Sequence, residues 1–126
     1  MLHVDDSPEF VGMASTFLRR NSDALNVEAR TNPEDAVRLL REEEFDCVVS
    51  DYTMPDMEMD GVEFRSEVRS SFPDLPFVFF TGSPASKFPD EALSDEATSH
   101  MRKEIDIKQF TRLVQLVEEV VAETEE

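Results

Sequence analysis

Residues 47–51 read Cys47-Val48-Val49-Ser50-Asp51, and this short stretch decides the fold. An apolar run without polar alternation fits a strand covered on both faces, as in a parallel sheet flanked by helices. Its last residue is a carboxylate, placed where the strand would leave the core. Working outward, Phe77-Val78-Phe79-Phe80 is a second such run and leads into Thr81. Leu2-His3-Val4 and Val27 to Arg30 are shorter strand signals, and Ser99 to Arg102 is a brief last one.

Between these runs the apolar residues recur at helical spacing. Ser7-Pro8-Glu9 supplies an N-cap, a first-turn proline and an acidic first turn. Phe10, Val11, Ala14, Phe17 and Leu18 then share one face. Asn32-Pro33-Glu34-Asp35 repeats the signal, with Val37 and Leu40 facing inward. Gly61 precedes a third helix carrying Val62, Phe64 and Val68, closed by Phe72-Pro73. Pro84 and Pro89 leave room for only a short fourth helix near Asp90 to Ala97. Asp106 caps a long last helix with Phe110, Leu113, Val114, Val117 and Val120 on one stripe. Strands alternating with helices predict one α/β domain, a doubly wound parallel sheet with helices on both faces. It spans residues 1–121, and residues 122–126 form an acidic tail expected to fray.

The 126 residues are the length of one compact domain, and 40% of them are hydrophobic, enough for one core. No apolar run reaches the roughly 18 residues a membrane span needs. Met1 to Val4 runs straight into Asp5 and Asp6, unlike a signal peptide, so a soluble, cytoplasmic protein with no membrane contact is expected. The single cysteine, Cys47, excludes an internal disulfide and reads as a small buried hydrophobe. The net charge of −17 argues against direct nucleic-acid binding, because no basic patch could offset the phosphates. Nine Arg and three Lys against 29 acidic residues fit a protein kept soluble in high salt, as in a halophilic archaeon. An acidic surface that docks a basic partner is the rival explanation.

In an open α/β sheet, ligands bind beyond the carboxyl ends of the strands. Asp5 and Asp6 follow the first strand, Asp51 the third, Thr81 the fourth and Lys103 the fifth. Carboxylates converging at one edge repel one another and call for a cation. Few hard oxygen ligands, with room for water and a phosphate, suit Mg²⁺. Lys103 could neutralise one phosphoryl oxygen and Thr81 hydrogen-bond another, with a carboxylate as nucleophile. Taken singly, an Asp pair is as readily a turn and cap, and a lone Lys a solvated charge. Their joint placement is the signal.

Val4-Asp5-Asp6, Val49-Ser50-Asp51-Tyr52-Thr53-Met54-Pro55, Met59-Asp60-Gly61, Phe80-Thr81-Gly82 and Lys103 together resemble the receiver domain of two-component response regulators. The resemblance spans nearly the whole chain and implies a strand order of 2-1-3-4-5. It implies that Asp51 is the phospho-acceptor, and that Asp5, Asp6, Asp51 and the backbone carbonyl of Thr53 hold Mg²⁺. Thr81 then corresponds to the switch hydroxyl and Lys103 to the ion-pair partner of the phosphoryl group. Gly82 occupies the small-residue position beside that hydroxyl. His100 stands three before the lysine, where the family commonly has a rotamer-switching Tyr or Phe. The Thr53 side chain is at the position that influences how fast the phosphoryl group is lost.

Several features depart from the family pattern. Asp51 to Gly61 is longer than usual by two residues, because Asp56-Met57-Glu58-Met59 expands the loop. Glu104 follows Lys103 where proline is common, which puts the usual cis turn and the reach of the ammonium in question. The broken fourth helix would remodel the signalling face, and a first strand at the chain start suggests a short or trimmed N-terminus.

The implied cycle is phosphoryl transfer to Asp51 from a sensor histidine kinase or a small acyl phosphate, followed by altered binding to an unidentified downstream protein. The last helix's apolar stripe also suggests a homodimer through the last two helices. Beyond its own phosphotransfer and dephosphorylation, no enzyme activity is expected. Two rivals remain: an aspartyl-nucleophile phosphohydrolase of the haloacid-dehalogenase type, and a pseudo-receiver scaffold. The hydrolase normally carries a second Asp two residues after the first, where this chain has Thr53.

Overall fold

The apolar runs do become strands of one sheet. The computed structural model describes residues 1–21, 26–52, 54, 59–82, 97–104 and 108–125. The strands are β1 (Leu2–Val4), β2 (Glu28–Arg30), β3 (Val48–Ser50), β4 (Phe77–Thr81) and β5 (Thr98–Arg102). All pairings are parallel, in the order β2-β1-β3-β4-β5 that the resemblance implied. The helices among the described residues are α1 (Pro8–Asn21), α2 (Pro33–Glu42), α3 (Gly61–Ser71) and α4 (Lys108–Glu125).

Side chains alternate across the sheet, so the central strands β3 and β4 feed two cores. Leu2, Val4, Val48, Phe77 and Phe79 pack with Ala36, Leu39 and Leu40 of α2 and Phe64 and Val68 of α3. Val49, Val78 and Phe80 pack on the other face with Ala14 and Leu18 of α1 and Phe110, Leu113 and Val117 of α4. Both core faces of β3 and β4 are fully covered, which is why neither run alternates in polarity. Cys47 is buried and in no disulfide, and burial pushes its thiol up to about 12, so it behaves as the apolar filler expected.

Helix starts follow the anticipated chemistry. The Phe10 amide donates to Ser7 Oγ at 3.2 Å and the Glu34 amide to Asn32 Oδ1 at 2.8 Å. Asp60 is a cap that the sequence reading passed over, its Oδ1 accepting from the Glu63 amide at 2.9 Å. The fourth helix was expected near Asp90 to Ala97; its residues 90–96, and the Asp106 cap, lie outside the described residues. Ala97 forms a turn there, and its carbonyl accepts from the Phe77 amide at 2.8 Å. At the other end α4 runs through Glu125, into the stretch read as a tail, since Ala, Glu and Thr there can extend the backbone ladder. No described helix is long and apolar enough to cross a membrane.

Gly61 marks a close approach between α3 and the end of β3. A methyl group there would overlap the Asp51 carbonyl and lie 2.8 Å from the Tyr52 Cα and carbonyl oxygen. The Gly61 amide itself donates to that Tyr52 oxygen at 3.1 Å. The obstacles are backbone atoms, which cannot rotate away. Gly61→Ala is therefore expected to cost about 1–3 kcal/mol, as overpacking does, and to displace Asp51. A lower urea midpoint with an unchanged slope is the measurement.

His3 is the anomaly of the core. It pairs in register with Ala29 and Val49, on the face that packs against α1, and it is fully buried. Neither ring nitrogen has a hydrogen-bond partner among the described residues. Burial lowers its pKa from 6.5 to about 4, the Lys103 charge adds to that, and Asp51 pulls the other way. An unfolded chain thus takes up the proton first as pH falls. Stability should hold above pH 6.5, decline between there and about 4, and then level off, a loss of about 3 kcal/mol. His3→Leu, compared by urea unfolding at each pH, should remove this share of the acid limb. It should also be more stable at neutral pH by about 1–3 kcal/mol, since no buried polar atom is left unbonded.

Candidate functional site

Parallel strands all end on one edge, so the residues that follow them meet there. The ladder continues one step beyond the strands. The Asp5 amide donates to the Arg30 carbonyl at 3.2 Å and the Asp51 amide to the Val4 carbonyl at 3.0 Å. The ends of β2 and β1 thereby hold both backbones in register. Asp6 follows Asp5, and one carboxylate oxygen from each of Asp5, Asp6 and Asp51 lies within 4.8 Å of the others. Two unit charges at that distance repel by about 3 kcal/mol at an effective dielectric near 20.

Lys103 supplies the counter-charge. Its Nζ forms ion pairs with Asp5 Oδ2 and, at 3.1 Å, with Asp51 Oδ2. The three side chains are largely withdrawn from water, 19% exposed for Lys103, 1% for Asp5 and 13% for Asp51. The lysine backbone is tied as well, its amide donating to the Thr81 carbonyl at 2.8 Å. No cis peptide occurs among the described residues, so Lys103 reaches the carboxylates with Glu104 in the place of proline. Burial raises the Asp5 carboxyl pKa, and the Asp51 charge adds to the rise. The Lys103 hydrogen bond and charge and the Ser7 amide oppose it.

Asp51 is held at both oxygens. Oδ1 accepts from the Tyr52 amide at 2.7 Å, while Oδ2 faces Lys103. The Tyr52 ring packs edge-on against Phe79, at 5.9 Å between centroids. Thr81 is buried as the last residue of β4, beside the route Lys103 takes from β5, and Gly82 after it is exposed. His100 stands two strands from Asp51, opposite Phe79 in the β4–β5 ladder, and is exposed. It is not brought into the carboxylate cluster. Thr53 and residues 55–58 of the expanded loop lie outside the described residues.

Two contributions escaped the sequence reading. The Lys103 ammonium sits 4.2 Å above the centroid of the Phe10 ring, a cation–π geometry. Phe10 had looked like one more apolar residue of α1, and only its place in the first turn after Asp6 hinted at the site. Further from the site, Arg65 Nε and Arg69 Nη2 of α3 donate to Thr98 Oγ1 at 3.1 and 3.2 Å, tying α3 to the start of β5. No spacing in the sequence announces that contact.

Comparison with known proteins agrees with this geometry. The family profile for the response regulator receiver domain matches residues 1–115. The chain is 30% identical over 126 residues to the transcriptional regulatory protein ZraR of Salmonella typhimurium, covering all of this chain and 27% of that protein. It therefore spans about a quarter of that relative's length. Among solved structures, the chemotaxis response regulator CheY4 of Vibrio cholerae is 27% identical with a TM-score of 0.77, over 92% of this chain and 95% of that one. The response regulator TrrA of Thermotoga maritima, solved in complex with Mg²⁺-BeF, superposes with a TM-score of 0.72 at 21% identity, over 92% and 96% of the two chains. With the fold, the acidic pocket and a family match over nearly the whole chain in agreement, this protein belongs to the response-regulator receiver domain family.

Proposed function

We propose that this receiver domain is a phosphorylation switch in which Asp51 accepts a phosphoryl group from the phosphohistidine of a sensor kinase or from a small acyl phosphate. The observation that carries it is the meeting of Asp5, Asp6 and Asp51 carboxylates with the Lys103 ammonium at the carboxyl edge of the sheet. Receiver domains as a family partner with histidine kinases, which sets the class of donor.

The carboxylate set fits Mg²⁺. One carboxylate oxygen from each of Asp5, Asp6 and Asp51 lies within 4.8 Å of the others, a set of hard oxygen donors of the kind that Mg²⁺ takes. Asp5, Asp6 and Asp51 would hold the ion, with the Thr53 carbonyl as a further ligand. When bound, Mg²⁺ supplies positive charge to the phosphoryl oxygens and offsets the crowded carboxylates. TrrA, solved with Mg²⁺-BeF, supports that choice of ion.

The chain's own residues do the rest. A lone pair on an Asp51 carboxylate oxygen forms the new O–P bond as the donor's N–P or O–P bond breaks, and the leaving group keeps that bonding pair. Asp51 Oδ2 must turn from Lys103 toward phosphorus, and the ammonium is then placed to pair with a phosphoryl oxygen. Thr81, at the end of β4, donates its hydroxyl to another phosphoryl oxygen. That new bond acts on the end of β4, where Gly82 leaves room, and on the neighbouring β5, which carries His100. The phosphoryl group biases two arrangements of these segments, and a full reversal of populations takes roughly 5.5 kcal/mol. The output is altered binding to a downstream protein or to a second copy at this face.

Intact mass after incubation with Mg²⁺ and acetyl phosphate in high salt tests the reading. The expected result is a single phosphoryl adduct on the wild-type chain and none on Asp51→Asn. No adduct from acetyl phosphate or a kinase, together with absent Mg²⁺ binding, would leave a scaffold. Multiple turnover of phosphomonoesters would instead identify a hydrolase.

A further inference from the structure

We infer that Phe10 is a positioning residue for Lys103, holding the ammonium over the carboxylate pocket by its ring face; this rests on the phospho-acceptor reading of Asp51. Lys103 Nζ lies 4.2 Å from the ring centroid while it pairs with Asp5 and Asp51. The cation is thus bracketed by two carboxylates and one π-face. Its side chain is 19% exposed, so little water competes for it.

The ring is itself well fixed. His3 meets it edge-on at 6.1 Å, and Phe80 and Phe110 pack tilted against it at 5.7 and 5.8 Å. From the backbone side, the Phe10 amide is capped by Ser7 Oγ, and the Ser7 amide donates to Asp5 Oδ1 at 3.0 Å. The carboxylate that pairs with Lys103 therefore also sets the first turn of α1, and with it the place of the ring.

The choice of an aromatic face has a chemical consequence. Asp5 serves two cations in the proposed site, Lys103 and Mg²⁺. Mg²⁺ demands oxygen ligands and holds its water tightly, so a benzene ring offers it nothing. The same ring attracts an ammonium. Phe10 thus keeps Lys103 in place without competing for the metal, however the Asp5 oxygens are shared. The competing explanation is that Phe10 only fills the aromatic cluster between α1 and α4.

Phe10→Leu keeps apolar bulk and removes the π-face, and Phe10→Tyr keeps the face. Rates of phosphorylation by acetyl phosphate at saturating Mg²⁺ would be measured across donor concentrations, with urea unfolding to confirm that each variant is folded. Phe10→Leu should lower the maximal rate about tenfold and leave the half-saturating donor concentration unchanged. Phe10→Tyr should restore most of the rate. Independently of phosphorylation, proton NMR should show the Lys103 ε-methylene shifted upfield by the ring in wild type and Phe10→Tyr, and at its ordinary position in Phe10→Leu. Should the leucine variant fail to fold, Phe10→Met replaces it. A folded Phe10→Leu that matches wild type in rate overturns the inference and leaves the acceptor reading intact. A wild-type chain that takes no phosphate defeats the acceptor reading, and this inference with it.

Discussion

Lys103 between Asp5 and Asp51 is the interaction on which the carboxyl edge of the sheet depends. Remove the ammonium and the crowded carboxylates of Asp5, Asp6 and Asp51 face one another in a partly dry pocket. Burial already raises the Asp5 carboxyl pKa, which shows how little the protein alone favours that charge. The sheet order explains why the counter-ion must have a long side chain. Asp51 follows β3 and Lys103 follows β5, with β4 between them. Strands about 4.8 Å apart leave nearly 10 Å to cross, and a long flexible side chain anchored by its amide to Thr81 can do so. Thr81 lies under that span, so a group that draws on Lys103 also acts beside Thr81.

Beneath the charges the protein is oily. Phe10, Phe80 and Phe110 form one aromatic floor, and the neutral His3 ring completes it. A protonated imidazole there would place a second cation near Lys103, and burial together with that ammonium keeps His3 neutral at ordinary pH. An imidazole at the centre of β1 with no hydrogen-bond partner among the described residues therefore costs stability while lending the site a flat, uncharged wall. The low-dielectric floor also strengthens the pairing above it, because fewer water dipoles screen the charges.

Much of this was open to view in the chain. Cys47-Val48-Val49 and Phe77-Val78-Phe79-Phe80 lack polar alternation because both faces of β3 and β4 are covered, so their periodicity declared a sheet between helix layers. A carboxylate, hydroxyl or lysine directly after each run then pointed to one edge, because parallel strands end together. Ser7 and Asn32 were legible as caps because a local hydrogen bond needs only local sequence. What escaped was whatever depends on distance across the fold. The clash that Gly61 avoids involves Asp51 and Tyr52, which only the approach of α3 brings near. Periodicity placed Phe10 on an inward face but could not say that a cation from residue 103 would rest on it.

The central claim is chemical and sits on one atom group, the Asp51 carboxylate. Borohydride reduces an acyl phosphate to an alcohol and leaves free carboxylates untouched, so treatment of the donor-incubated protein marks the acceptor permanently. Peptide mass mapping then reads its position. Homoserine at residue 51, and at no other acidic position, is the result this account predicts. Homoserine at Asp5, Asp6 or elsewhere in this acid-rich chain would contradict it.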